Sequence, residues 1–532
     1  MPTRTSSALV LLIAALGGAA TMVVELSAVR LLAPWFGTSQ AVWTNVIGVV
    51  LLALSIGYLL GARLSSGARV ERSLAFVLFA AAASAAWIPF LVPHAARWFL
   101  PPELALDQAA GLLRWGSLAT ALVAFLPPAL LLGGVAPLCV ELLERGAHRG
   151  AGSSGGRVLC VSTLGSLAGT FATSYVLVPE FGLVRTFLAA AAVLAVLGLL
   201  AAWRGREARL ALWGLVAGSA WIAGDPRRPA LAEGARLLEA RESPYQSVRV
   251  VEFTGPRGVE RRELQVNEAF DSFQSVWVKE PGLVGDGVYY DLFALPPWWG
   301  SATSAWHVAV LGLGAGTTLR VLEGTLPSGT RLDALGVEID PVVVELGERW
   351  MELAPGPSRR VLGGWDARAA LAHSAASFDQ IVLDAYSNQM EIPAHLCTRE
   401  FFQTVREHLV PGGFLCVNVG AFGLEDPVLV AVANTAALGL CEPVLAFAVP
   451  FSRNVVLFAR RERPLPDPAG ADFAPAPAGL ARLARRLALP GVRKRFEGDA
   501  AAPLLTDDRC DIELLQLRSI ERARFEPSGG GP

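Results

Sequence analysis

The sequence predicts a multi-span α-helical membrane domain fused to a doubly wound α/β domain, with a small β-hairpin subdomain ahead of the latter. Three observations predict it. Charge is unevenly spread: residues 1–224 hold 14 Arg, no Lys and eight acids, while the remaining 308 residues hold the other 70 of the chain's 92 charged side chains, about 10% against 23%. Six uncharged gaps in the first half are long enough, or nearly so, to cross a bilayer. Beyond Trp306, short apolar strands alternate with helical patterns.

The gaps are residues 5–24, 31–62, 73–93, 115–140, 158–179 and 186–203. A seventh, 210–224, is only 15 residues long and reads as a short span, an interfacial helix or a re-entrant segment. The first stretch lacks a convincing small-residue cleavage site and reads as a retained anchor. Arg4, then Arg63, Arg69 and Arg72, then Arg145, Arg149 and Arg157, then Arg204, Arg206 and Arg209 fall on one side of six spans, the cytoplasmic side by the positive-inside rule. Six spans leave the soluble half in the cytoplasm; a seventh places it outside. Gly57–Gly61 and Gly165–Gly169 have the GxxxG spacing of closely packed helices. Glu25 is a functional candidate as an intramembrane carboxylate, with pairing to Arg30 or an interfacial position as the plainer reading.

Residues 1–224 are thus the transmembrane domain and 225–240 a connector. Residues 241–305 form the β subdomain: 247–253 alternates with period two, a Gly-Pro-Arg-Gly turn follows at 255–258, and 262–266 returns. Strands are expected at 307–311, 332–339, 360–362, 380–383 and 414–419, closed by a hairpin of 446–449 and 455–459, so that 306–460 is a Rossmann-like domain. Residues 461–480 are rich in Pro and Ala, and 461–532 reads as a linker with a terminal segment. Net charge of −2 gives no reason to expect nucleic-acid binding. The six scattered cysteines, without a CxxC or a Cys/His cluster, argue against a disulfide framework or a metal site.

The chemistry belongs at the carboxyl ends of the strands. The first is followed by Gly312-Leu313-Gly314-Ala315-Gly316, and the dinucleotide fingerprint fails because Thr317 occupies its third glycine position. Such a turn suits a nucleoside without pyrophosphate. Glu338 ends the second strand, 22 residues after Gly316, where an acid can take both ribose hydroxyls. Asp366 follows the third strand, placed to accept from an adenine amine or to cap a helix. Asp384 ends the fourth, with Tyr386 and Ser387 after it.

Pro244-Tyr245-Gln246-Ser247, Tyr289-Tyr290-Asp291, the glycine turn, Val337-Glu338-Ile339-Asp340, Trp365-Asp366-Ala367-Arg368 and Asp384-Ala385-Tyr386-Ser387 together resemble the spermidine synthase (polyamine aminopropyltransferase) superfamily. Residues 384–402 and Leu505-Thr506-Asp507-Asp508 resemble its membrane-fused members, as does the Glu25…Arg30 pattern. The resemblance implies an aminopropyltransferase of polyamine biosynthesis on an adenosylmethionine-dependent transferase-like fold. Decarboxylated S-adenosylmethionine would be the co-substrate, with no metal. Gln246, Gly312, Gly314, Gly316, Glu338 and Asp366 would hold the donor, and Asp384 would be the catalytic base. Tyr289, Asp291, Tyr386 and Asp507 would receive a small-molecule amine.

The departures bear on specificity. The family's glycine loop usually carries an Asp that grips the donor's amino group, and Ala315 stands there. Its second acid, three residues after the base, is Ser387, and its Tyr-His-Glu is Tyr289-Tyr290-Asp291. Two readings therefore stand beside the first: a methyltransferase using intact S-adenosylmethionine, and an amine transporter with a nucleoside-sensing domain. The expected setting is the inner membrane, multi-pass, with the lipid bilayer as a partner and a homodimer left open.

Overall fold

The computed structural model describes residues 6–525 apart from 37–39, 100–109, 148–149, 203–230, 233, 256–257, 267–273, 286–287, 301–303, 387–391, 450–451, 469–472 and 474. The chain divides into two compact units, an N-terminal helical one and an α/β one that begins at Leu231.

The helical unit contains α1 (Ser7–Phe36), α2 (Gln40–Ser65), α3 (Val70–Phe99), α4 (Ala110–Gly133), α5 (Val135–Ala147), α6 (Ala151–Ala172) and α7 (Gly182–Ala202). Five runs are long and apolar enough to cross a membrane: Ser7–Ala33, Ala41–Ser65, Val70–Phe99, Trp115–Gly146 and Gly152–Ala202. The last has 51 residues and contains two of the expected spans. A π-helical turn, Thr173–Phe181, and Gly182 with φ +76° interrupt it, and both halves pack against α1. Two expected boundaries move. Helix α1 continues through Glu25 and Arg30 to Phe36, because both residue types are good helix formers and an isolated charge does not end a helix. The expected fourth span is divided at Gly133–Gly134 into α4 and α5. The short gap at 210–224 lies outside the described residues.

Leu74, Leu78, Ala81, Ala85 and Ile88 of α3 are fully buried, so this helix is central to its unit. Both GxxxG pairs lie at helix crossings. A Cβ on Gly57 or Gly61 would strike the α4 backbone near Leu130 or Gly134, and one on Gly165 or Gly169 would strike α1 at Ala15 or Ala19. Arg145 donates to the carbonyls of Ser65 (3.1 Å) and Gly67 (3.2 Å), so the end of α5 and the α2–α3 turn with its arginines share one end of the unit. Gly165→Val is expected to lower the stability of the helical unit by about 3 kcal/mol, since backbone cannot move aside as a side chain can. Thermal unfolding in detergent checks it; an unchanged midpoint would show that α1 and α6 separate freely.

In the α/β unit, β1 (Ala235–Glu242), β2 (Ser247–Gly255), β3 (Gly258–Val266) and β4 (Ser275–Val278) form an antiparallel sheet in that order. The expected connector therefore ends inside a strand. The second sheet has the order β12-β10-β11-β9-β8-β5-β6-β7, with β5 (Ala305–Leu311), β6 (Arg331–Glu338), β7 (Arg359–Gly363), β8 (Phe378–Leu383), β9 (Leu409–Gly420), β10 (Val444–Ala448), β11 (Asn454–Arg460) and β12 (Arg493–Phe496). Strands β5 to β9 pair in parallel, while β11, β10 and β12 add antiparallel. Order reverses between β5 and β8, the switch point where an open α/β sheet forms its ligand crevice. The C-terminal segment is less of a linker than its composition suggests. It supplies the helix Ala478–Leu487, edge strand β12 and the helix Ile512–Phe525.

Candidate active site

The turn after β5 is built around glycine. Gly312 has φ +87°, and a Cβ there would collide with the Asp384 backbone; Gly314 has φ +55° and lies against Ser275. The opened turn directs Gly314 N–H at Glu338 Oε2 (2.8 Å), while Glu338 Oε1 accepts from Asp340 N–H (3.0 Å). Burial pushes the Glu338 carboxyl up to about 7, against these two N–H groups, and the neighbouring Asp340 adds to the rise. Asp340 caps the helix Pro341–Trp350 through Val342 N–H (3.0 Å), and its other oxygen accepts from Ser243 Oγ (2.6 Å) and Gln246 Nε2 (3.2 Å). Gln246 thus reaches the acidic edge of β6 through an aspartate that the motif reading passed over. The Asp340-Pro341 helix start is the signal that could have found it.

Asp366 is the cap of the helix Ala367–Ala372, accepting from Ala369 N–H (2.9 Å), and its Oδ2 meets His395 Nε2 at 2.8 Å. Although burial works to raise it, Ala369 N–H and His395 hold its carboxyl below the usual range. Gly364 N–H donates to the Glu338 carbonyl (2.9 Å), bringing the loop that carries Asp366 beside β6. The Tyr245 hydroxyl is raised by burial and then by the charges of Asp340, Glu338 and Asp366. Tyr245, Ile339 and Trp365, sequence neighbours of Gln246, Glu338 and Asp366, keep 42–47% of their surface exposed. Large apolar faces left open beside carboxylates suit a flat heteroaromatic base on a sugar.

Asp384 leaves β8 with its N–H on the Leu311 carbonyl (2.9 Å), which sets it across from the glycine turn. Its Oδ1 accepts from Asn418 Nδ2 (2.9 Å). Burial pushes the Asp384 carboxyl up to about 7, with Glu338 adding repulsion. The hydroxyls of Tyr289, Tyr290 and Tyr386 are all raised by burial and by the Asp384 charge. Tyr289 and Tyr290 lie ring to ring at 4.2 Å. Among the described residues, no cluster of three or more His, Cys, Asp or Glu could hold a metal.

Asp291 and Asp507, expected to receive the amine, each have protein partners of their own. Both oxygens of Asp291 accept from backbone, Val284 N–H (2.7 Å) and Gly285 N–H (3.0 Å), because its short carboxylate closes its own loop. Asp507 forms a bidentate pair with Arg368 (2.7 and 2.6 Å) and accepts from Thr398 Oγ (2.7 Å), and these partners hold it down to about 2. The Ala315 methyl is buried beside Val342, Val343 and Leu346. Ser387 lies outside the described residues.

A glycine turn after β5, an acid at the end of β6 and a half-buried carboxylate at the end of β8 thus stand together at the carboxyl edge of an open α/β sheet. The chain is similar to proteins named polyamine aminopropyltransferases. It is 29% identical over 307 residues to a probable polyamine aminopropyl transferase of Bifidobacterium longum, covering 54% of this chain and 65% of that protein. It is 35% identical over 115 residues to a polyamine aminopropyltransferase of Vibrio vulnificus, covering 21% and 37%. A match to polyamine aminopropyltransferase 2 of Streptomyces coelicolor, 28% identical, covers 80% of this chain and 76% of that one, so the likeness reaches into the helical half. The chain thus spans 65% and 37% of the first two relatives' lengths. Among solved structures, a probable spermidine synthase from Corynebacterium glutamicum covers 51% of this chain and 97% of its own, at 17% identity and a TM-score of 0.39. The spermidine synthase of Thermotoga maritima covers 54% and 84%, at 14% identity and a TM-score of 0.34. No family model matches.

Proposed function

We propose that the chain is a membrane-bound aminopropyltransferase-like enzyme that moves a group from an adenosyl sulfonium donor to an amine. The carrying observation is Asp384, a half-buried carboxylate at the end of β8 opposite the glycine turn, pushed up to about 7. An ammonium has no lone pair, so the acceptor must lose a proton before it attacks. Asp384 holds the amine and takes that proton. The C–N bond forms as the C–S bond breaks, and the sulfonium leaves as a neutral thioether nucleoside. Glu338 and Asp366, with Gln246 acting through Asp340, would hold the nucleoside, leaving the sulfonium-bound carbon in line with the amine. Decarboxylated S-adenosylmethionine is the donor of this reading.

Ala315 favours a second reading, since no acid stands there to grip the donor's amine: intact S-adenosylmethionine as a methyl donor. One assay separates them. Purified full-length protein in detergent, given either donor with an amine, should release methylthioadenosine from the decarboxylated one; release of S-adenosylhomocysteine from the other would establish methyl transfer. Because the base works deprotonated, kcat/KM should rise with pH through about 7 and level off above it. A flat profile from pH 5 to 8 would remove Asp384 from that role. The five apolar runs support a multi-pass membrane protein, and six spans with the arginine-bearing end inside would leave the α/β unit on the cytoplasmic side of the inner membrane.

A further inference from the structure

Asp384 heads a line of hydrogen bonds whose direction is dictated from its own end. An ionised carboxylate only accepts, so Asn418 must turn its Nδ2 toward Asp384 Oδ1 (2.9 Å). Its own Oδ1 then faces away and accepts from Asn454 Nδ2 (2.9 Å), and Asn454 Oδ1 accepts from Ser452 Oγ (2.6 Å). The line runs from β9 to the start of β11, the next strand in the sheet. Asn418 is only 3% exposed, in a strand whose neighbours are Leu415, Cys416, Val417 and Val419. A buried amide among such residues is unfavourable unless its groups are satisfied. Its backbone is tied down as well: Tyr386 OH donates to the Asn418 carbonyl (2.7 Å) and accepts from Gly420 N–H (2.9 Å).

We propose that Asn418, Asn454 and Ser452 are positioning residues that act through Asp384, fixing its orientation and favouring its ionised form in a buried place. This rests on the reading of Asp384 as the base. The titratable groups acting on Asp384 among the described residues are Tyr289, Tyr290, Tyr386 and Glu338. The tyrosine hydroxyls are raised and stay neutral through the working range, which leaves Glu338 as the one that changes charge alongside it.

The test reverses the line. In Asn454→Asp the new side chain cannot donate, so Asn418 turns over to donate to it and presents Oδ1 to Asp384, which can meet an acceptor only by keeping its proton. The midpoint for Asp384 ionisation should rise by about one pH unit or more, with a smaller rise in Asn454→Ala, where one anchor is lost without inversion. Infrared titration of the full-length protein in detergent reads the protonated carboxyl directly, assigned by its loss in Asp384→Asn, with Glu338→Gln as the background that isolates it. Methylthioadenosine binding should stay within about twofold in both Asn454 variants. A midpoint that stays put in Asn454→Asp, or in folded Asn454→Ala should the first variant not fold, overturns the proposal. A midpoint that moves in a protein that transfers no group supports the line and sinks the catalytic reading instead.

Discussion

Asp384→Asn is expected to lower group transfer about a thousandfold while leaving methylthioadenosine binding within about tenfold. The rate term follows from the usual worth of a positioned base, about 10²–10⁴. The binding term follows from geometry. In the proposed site the nucleoside is held by Glu338 and Asp366, with Gln246 acting through Asp340, whereas Asp384 hydrogen-bonds Asn418 and acts on the amine. An asparagine at 384 can still accept from Asn418 Nδ2, so the local hydrogen bonding survives with a neutral group. Steady-state turnover beside calorimetric titration of methylthioadenosine measures both quantities on the full chain. Equal losses in the two would make Asp384 a binding residue.

How much of this the sequence disclosed depended on whether each element's logic is local. The parallel strands β5, β6, β7 and β8 are short apolar runs, and each ends in a glycine turn or an acid, so order and chemistry could be read together. The edge strand β12 could not, since three of its four residues are Arg or Lys, a composition that protects an open sheet edge and carries no apolar period. Residues 235–240 looked like connector for a related reason, as the charges of β1 fall on an outer strand of the small sheet. Pairings across long separations were invisible altogether. Asp507 meets Arg368 across 139 positions, and Asn418 meets Asp384 across 34; neither distance leaves a trace in spacing. Asp291 misled in the opposite sense. Its match to a family acid was legible, but its use by Val284 and Gly285 depends on a loop shape that no pattern encodes.

That use of Asp291 bears on the acceptor. Putrescine is expected to be a poor substrate, with kcat/KM about a hundredfold below that of a monoamine with an apolar tail such as butylamine. A free diammonium needs an anion at each end, and Asp384 answers for one. The acids expected to supply the other have partners already: Asp291 accepts from two backbone N–H groups, and Asp507 is paired with Arg368. Burying an ammonium without a partner is unfavourable by several kcal/mol, and about 2.7 kcal/mol is a hundredfold in rate. Tyr289, Tyr290 and Tyr386 each feel the Asp384 charge, and an aromatic face among them would give one cation a cation–π contact, a weaker substitute for a carboxylate. Asp507→Asn should then leave the amine KM within about twofold, because its carboxylate serves Arg368 rather than substrate. Competing the two amines against each other in one reaction, with products resolved by mass, gives the ratio directly. Putrescine consumed as fast as butylamine would mean that a second carboxylate reaches the cleft, and the acceptor would then be a small polyamine after all.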